Sequence, residues 1–318
     1  MFQGERSGPS SCGSSRMSPG DVCAVETGDC TDLYCIDTGM YDTAEYGAVY
    51  VLDADRVALV DTGIGTHHDR ILAALSELGI DQSDVAVIAV SHVHLDHAGG
   101  AGFLSRACEN ATVAVHEIGA PHLVDPGRLW EGTKQVVRDQ IVSYTEPEPV
   151  PDDRIRKLTD SDVIDLGDHE LRAHHAPGHA PHQVVFEDPA NDCVFTADAA
   201  GIYVPARDIV EPTSPPTRFD LEQSLSDVEM IRDLDPSTLC YGHFGPAPTD
   251  DRLSEYAERL EDWVGSVERK RAELEDDEAV VEYFVERQDK DDIWDDLKAR
   301  TEASLNVRGV LAYLDYRD

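Results

Sequence analysis

Short apolar runs separated by polar loops recur from about residue 21 to residue 248, after which the spacing becomes helical. Residues 49–52 and 57–60 read as a hairpin of two β-rich runs turning at Asp53-Ala54-Asp55-Arg56. A helix is predicted over 71–78, stopped by Gly79. Residues 85–90 form an unbroken apolar run, the pattern of a strand buried on both faces, and it delivers Ser91 and a histidine cluster at its end. The arrangement repeats: 112–115 ends in His116, 171–173 leads to His179, 194–196 to Asp198, and 238–241 to His243. Titratable residues thus recur just past strand ends, where loops on a rigid sheet carry chemistry.

Beyond about residue 250, Leu253, Tyr256, Leu260, Trp263, Val264 and Val267 follow helical spacing, and Val280, Tyr283 and Phe284, then Ile293, Trp294 and Leu297, predict further helices. This aromatic stripe reads as core packing. Residues 1–20 are rich in Ser and Gly with little to bury, which predicts a disordered tail. The expected organisation is that tail, a catalytic domain over 21–248, and a helical C-terminal subdomain over 249–318.

Charge narrows the function classes. The net charge is −38, from 64 acidic against 26 basic residues. Nucleic acid and anionic membrane both require clustered Lys and Arg, so neither is expected as a partner; a small-molecule substrate is. Acidity spread along the whole chain suggests adaptation to high salt, where self-repulsion is screened. No run approaches the length of a membrane span, and the N-terminus has no apolar signal core, so a cytoplasmic protein is expected. The seven cysteines (Cys12, Cys23, Cys30, Cys35, Cys108, Cys193 and Cys240) are odd in number and scattered, which predicts free thiols. The sequence does not speak to oligomeric state.

Ser91-His92-Val93-His94-Leu95-Asp96-His97 places four candidate metal ligands within six positions, bracketed by an apolar strand and Gly99-Gly100. Imidazole suits zinc, iron and similar ions, and a carboxylate adds a hard anionic donor. On a strand end, His92 and His94 point alike by the two-residue period, and Asp96 and His97 come off the following turn. One segment can therefore serve two adjacent ions.

This HxHxDH pattern, followed by a later His, a later Asp and a last His, resembles the metallo-β-lactamase superfamily over roughly residues 45–248. The resemblance implies an α/β protein, an αββα sandwich with a helical C-terminal appendage. It also implies one ion on His92, His94 and His179, a second on Asp96, His97 and His243, and Asp198 as the bridge; Asp96 and His97 count among the catalytic residues. His182, three residues past His179, is the rival ligand. Asp61, in Asp61-Thr62-Gly63, matches the family's loop beneath the site and would orient a ligand imidazole, with a plain turn Asp as the alternative. Tyr203 is a candidate substrate contact donating to an oxyanion, with an ordinary loop tyrosine as the alternative.

Two Zn2+ ions, or Fe or Mn in their place, about 3.5–4 Å apart would share a hydroxide of lowered pKa. The expected activity is hydrolysis of an ester, thioester or lactone, most like the glyoxalase II-type thioesterases, although the acidic C-terminal region makes a poor glutathione site. The alternative on the same fold is a mononuclear-iron, persulfide dioxygenase-like oxidoreductase.

Overall fold

A computed structural model describes residues 17–216, 218–287 and 293–317. A seven-stranded sheet runs in sequence order through β1 (Val22–Ala24), β2 (Leu33–Asp37), β3 (Ala48–Leu52), β4 (Val57–Val60), β5 (Val85–Ala89), β6 (Thr112–His116) and β7 (Ile155–Leu158). The second sheet is built from β8 (Val163–Asp165), β9 (Glu170–His175), β10 (Val184–Asp188) and β11 (Cys193–Ala197), continued by β14 (Thr238–Tyr241) and β15 (Pro246–Pro248). Between β11 and β14 the chain makes a separate ribbon, β12 (Ile202–Val204) with β13 (Ile209–Glu211).

The two-residue period of each strand explains the layering. Tyr50, Leu52, Val60 and Ala89 face Leu171, Phe186, Phe195 and Cys240 in a core shared by the two sheets. Their neighbours Val49, Val51, Leu59 and Ile88 point the other way. There they pack on α1 (His68–Leu78) and, past the short α2 (Leu95–Ala98), on α3 (Ala101–Ala107). α4 (Ala120–Val124) and α5 (Gly127–Val137) pack on the same core through Ala120, Leu123 and Leu129. The outer face of the second sheet, with Val185, Val194, Leu239 and Tyr241, is covered by α6 (Leu221–Asp233), α7 (Arg252–Leu274), α8 (Asp277–Arg287) and α9 (Asp296–Arg317). The result is the αββα sandwich.

The predicted hairpin forms, its strands antiparallel with Tyr50 opposite Val60. Gly79 ends α1 in the left-handed conformation that a glycine adopts without strain (φ 74°). Three expectations change. Of the tail expected over 1–20, residues 1–16 lie outside the described residues, whereas Met17 and Gly20 are tied down: the Met17 amide donates to Glu45 Oε1 at 3.0 Å and the Gly20 amide to the Asp37 carbonyl at 2.7 Å. Cys23 is disulfide-bonded rather than a free thiol, whereas Cys30, Cys35, Cys108, Cys193 and Cys240 are free. Ile293 and Trp294 precede α9 instead of lying on it, and Trp294 packs edge-on to Tyr46. No helix among the described residues is long and apolar enough to cross a membrane.

Candidate metal centre

The histidine cluster grows out of the end of β5. His92 and His94 follow the strand, and α2 carries Asp96 and His97. The loop after β4 docks directly beneath α2: Thr62 donates to the His97 carbonyl through its amide (2.8 Å) and its hydroxyl (2.7 Å). That approach requires glycine. A Cβ on Gly100 would lie 2.3 Å from the Thr62 carbonyl oxygen, and one on Gly99 2.4 Å from that of Leu95. Asp61 itself holds a positive φ of 62°, an uncommon conformation that its hydrogen bonds maintain.

From the second sheet come His179 on the turn between β9 and β10, Asp198 just after β11 and His243 just after β14. The turn at His179 is held by a carboxylate: Asp227 of α6 accepts the Gly178 amide at 2.7 Å. Gly242 leaves room for His97, whose Cε1 would meet a Cβ there at 2.5 Å.

The seven residues converge in two triads with Asp198 between them. His92, His94 and His179 form one group, Asp96, His97 and His243 another, and Asp198 lies with His92 and His97; within each group one ligand atom per residue comes within 4.8 Å of the others. Asp198 reaches both sides, with Oδ2 3.3 Å from His179 Nε2 and Oδ1 3.4 Å from His97 Nε2 and 3.5 Å from His243 Nε2. His92, His97, His179, Asp198 and His243 are buried, and His94 and Asp96 are half-buried at the floor of a cavity.

Hydrogen bonds on the far side of each ring decide which nitrogen keeps a lone pair. The Tyr46 carbonyl accepts His243 Nδ1–H at 3.0 Å, and Asp61 Oδ2 faces His97 Nδ1 at 2.9 Å. Ser91 donates its hydroxyl to Asp61 Oδ2 (2.9 Å), so towards His92 Nδ1 (3.1 Å) it can only accept. Thr213 likewise donates to the Asp198 carbonyl and accepts from His179 Nδ1, both at 3.2 Å. Each ring is thereby left with Nε2 as an acceptor aimed inward. His92 Nε2 and His179 Nε2 both lie 3.1 Å from His94 Nδ1, which has at most one proton to offer them. Among the described residues, His97 Nε2 and Asp198 Oδ1 are buried without a hydrogen-bond partner. Lone pairs confronting one another in a buried site are costly, and a divalent cation in each triad removes the conflict. The donor set therefore fits two metal ions.

The charge balance agrees. Burial, reinforced by neighbouring histidines, holds His92 well below its ordinary pKa, and burial lowers His179 to about 3, so both remain neutral ligands. His97 is the exception: burial opposes its charge, but Asp198 and Asp61 outweigh it and push the pKa well up. Without a cation, these carboxylates draw a proton onto His97.

His182 is not brought into either triad. Its Nδ1 accepts the Val93 amide at 3.4 Å, and its ring stacks parallel to His92 with centroids 6.2 Å apart. Tyr203 is placed away from the cluster and its cavity: it donates to Asp208 at 2.8 Å, and Arg252 lies over its ring. The tyrosines that do line the cavity are Tyr41, Tyr46 and Tyr144. Tyr46 stacks on His243 at 4.6 Å, and the hydroxyls of Tyr41 and Tyr144 share a short hydrogen bond. α9 contributes as well. Lys298 is buried against the rings of Tyr41 and Tyr46 and donates to Glu302 at 2.6 Å. No local pattern marks these residues, because they meet the site only through long-range packing.

The metallo-beta-lactamase superfamily model matches residues 42–243, which span every one of the seven convergent residues. A metallo-beta-lactamase fold-containing protein of Sulfurisphaera tokodaii is 28% identical over 222 residues, covering 68% of this chain and 79% of that protein. The human acyl-coenzyme A thioesterase MBLAC2 is 26% identical over 189 residues, 52% of this chain and 62% of its own length. Among solved structures, an archaeal metallo-beta-lactamase superfamily protein from Sulfolobus tokodaii superposes with a TM-score of 0.68 at 23% identity, covering 89% of this chain and 99% of that one. With the match spanning well over half its length, the chain belongs to the metallo-beta-lactamase superfamily.

Proposed function

We propose that the protein is a binuclear metallo-hydrolase acting on acyl esters, with acyl thioesters as the preferred class. The observation that supports it best is the pair of triads sharing Asp198, with imidazole tautomers preset for metal binding. Zinc is the first candidate for both positions, with iron or manganese as substitutes. Bound there, such ions lower the pKa of water and offer positive charge to a developing oxyanion. The chain supplies the rest: Asp61, Ser91, Thr213 and the Tyr46 carbonyl hold the ligands in register, and no Ser or Cys nucleophile is needed.

Thioesters are favoured over lactones by the cavity and by one relative. The cavity, about 380 Å3, opens from the cluster between α5 and α9 and carries apolar side chains such as Leu129, Val136 and Leu305 that suit an acyl chain. The similarity to an acyl-coenzyme A thioesterase points the same way. Hydrolysis would place the oxygen of water on the acyl carbon, break the C–S bond with its electron pair leaving on sulfur, and return a proton to the thiolate.

The test is metal analysis of the purified protein followed by a panel of acyl thioesters, aryl esters and lactones. Two ions per chain and chelator-sensitive thioester cleavage are expected, and Asp198→Ala should abolish both activity and the second ion. A protein holding two ions that cleaves nothing in the panel would overturn the proposal. A single iron with oxygen consumption would move the protein to the dioxygenase class.

A further inference from the structure

Arg128 and Arg218 both line the cavity that leads to the cluster, and both are exposed at its mouth. Neither forms an ion pair or a hydrogen bond among the described residues. In a chain with 64 acidic residues against 26 basic ones, that is unusual. Most arginines outside the cavity are engaged: Arg106 pairs with Glu148, Arg232 with Glu229, Arg271 with Asp277 and Arg308 with Glu278. The third cation in the cavity, Lys298, is buried and neutralised by Glu302. The carboxylates of the lining are likewise committed, Asp96 and Asp198 to the metal cluster and Glu302 to Lys298. Two guanidinium groups are therefore left at the cavity mouth with no internal counter-charge.

A chain with a net charge of −38 repels anions, so an anionic substrate would need local cations to enter. We infer that the mouth of the cavity is an anion subsite, in which Arg128 and Arg218 bind a phosphate on the thiol half of an acyl thioester. Guanidinium offers paired donors whose planar geometry matches phosphate oxygens. The acyl half lies against the apolar wall, and the thioester between the two reaches the cluster. This inference rests on the thioesterase reading and narrows it to phosphate-bearing thiols.

The experiment compares kcat/KM of the metal-loaded protein on one acyl group carried by three thiols: N-acetylcysteamine (neutral), glutathione (carboxylates only) and coenzyme A (phosphates). The coenzyme A thioester should be preferred over the neutral one by about tenfold to a hundredfold, the scale of charge-assisted hydrogen bonds. Arg128→Ala/Arg218→Ala should bring the coenzyme A thioester down to the neutral level. Lys157→Ala, which removes the same kind of charge from an exposed position outside the cavity, should leave the preference in place. Calorimetric binding of free coenzyme A to the same proteins separates the two readings: binding lost in the double variant supports the anion subsite even if no thioester is cleaved. Three results overturn the inference. These are no preference for coenzyme A in the unmodified protein, a preference for glutathione over coenzyme A, or equal losses on all three thioesters in the double variant.

Discussion

The hydroxyl of Ser91 has one proton and gives it to Asp61, which also faces His97, so a single carboxylate orients one imidazole directly and another through a relay. Ser91→Ala removes only the relay. Metal affinity should fall by about 10- to 100-fold with the fold retained, as read by competition with a chromophoric chelator. If affinity were unchanged, His92 would not depend on Ser91 for its tautomer. Asp227 acts on a different ligand. Burial raises its pKa from 3.8 to about 6 while it holds the Gly178 amide beside His179. The folded state therefore prefers the protonated acid. That stabilising contribution is complete below about pH 4 and is lost as pH rises through about 6, at roughly 1.4 kcal/mol per pH unit within that window. Asp227→Asn should flatten this component, so the stability difference between variant and parent should grow in the variant's favour from pH 4 to 6 in urea denaturation. A pH-independent difference would exclude Asp227 as the titrating group. At this scale the sequence was uneven as a guide. His92, His94, Asp96 and His97 were legible because their spacing is local, whereas Thr213, Ser91 and Lys298 gain meaning only from partners that folding brings to them. Tyr203 was an attractive candidate by its nearness to Asp198 in sequence, yet β12 carries it onto Arg252.

Elements position the site through close backbone contact as much as through side chains. The loop after β4 and the α2–α3 junction lie together because Gly99 and Gly100 carry no Cβ. Gly100→Ala would drive a methyl against the Thr62 carbonyl, a backbone atom that cannot swing aside, and should cost about 1–3 kcal/mol together with tight metal binding. Denaturation and metal titration of the variant check this, and normal values in both would show that the loop can yield. The core strands and α1 were readable because period-two alternation and the glycine stop are local signals. The start of α9 was not, since Trp294 looks helical by spacing but is claimed by Tyr46. The role of the C-terminal helices was also hidden. Ser214 bonds to Asn306 of α9 and to Trp263 of α7, and it follows Thr213, which orients His179. Helices that look like an appendage in the sequence are thus joined to a ligand through two adjacent residues.

For the whole molecule, a net charge of −38 is a standing repulsion within a compact shape. The melting temperature should rise as KCl is increased from low concentration to the molar range, because screening relieves that repulsion. A fall would count against salt adaptation. The sign of the charge was plain in the composition, but its exception at the cavity mouth was not, since Arg128 and Arg218 are 90 positions apart in the chain. The candidate metal centre joins the two sheets: His92, His94, Asp96 and His97 follow β5 of the first, and His179, Asp198 and His243 come from the second. Ions bound there stabilise the folded state by mass action, so chelation should lower the melting temperature and readdition restore it. Because neither half-sandwich carries a complete ligand set, ion retention also serves as an inspection mark for assembly. A preparation that is folded in each half but misdocked between them would pass a measurement of secondary structure and still fail to keep its metal.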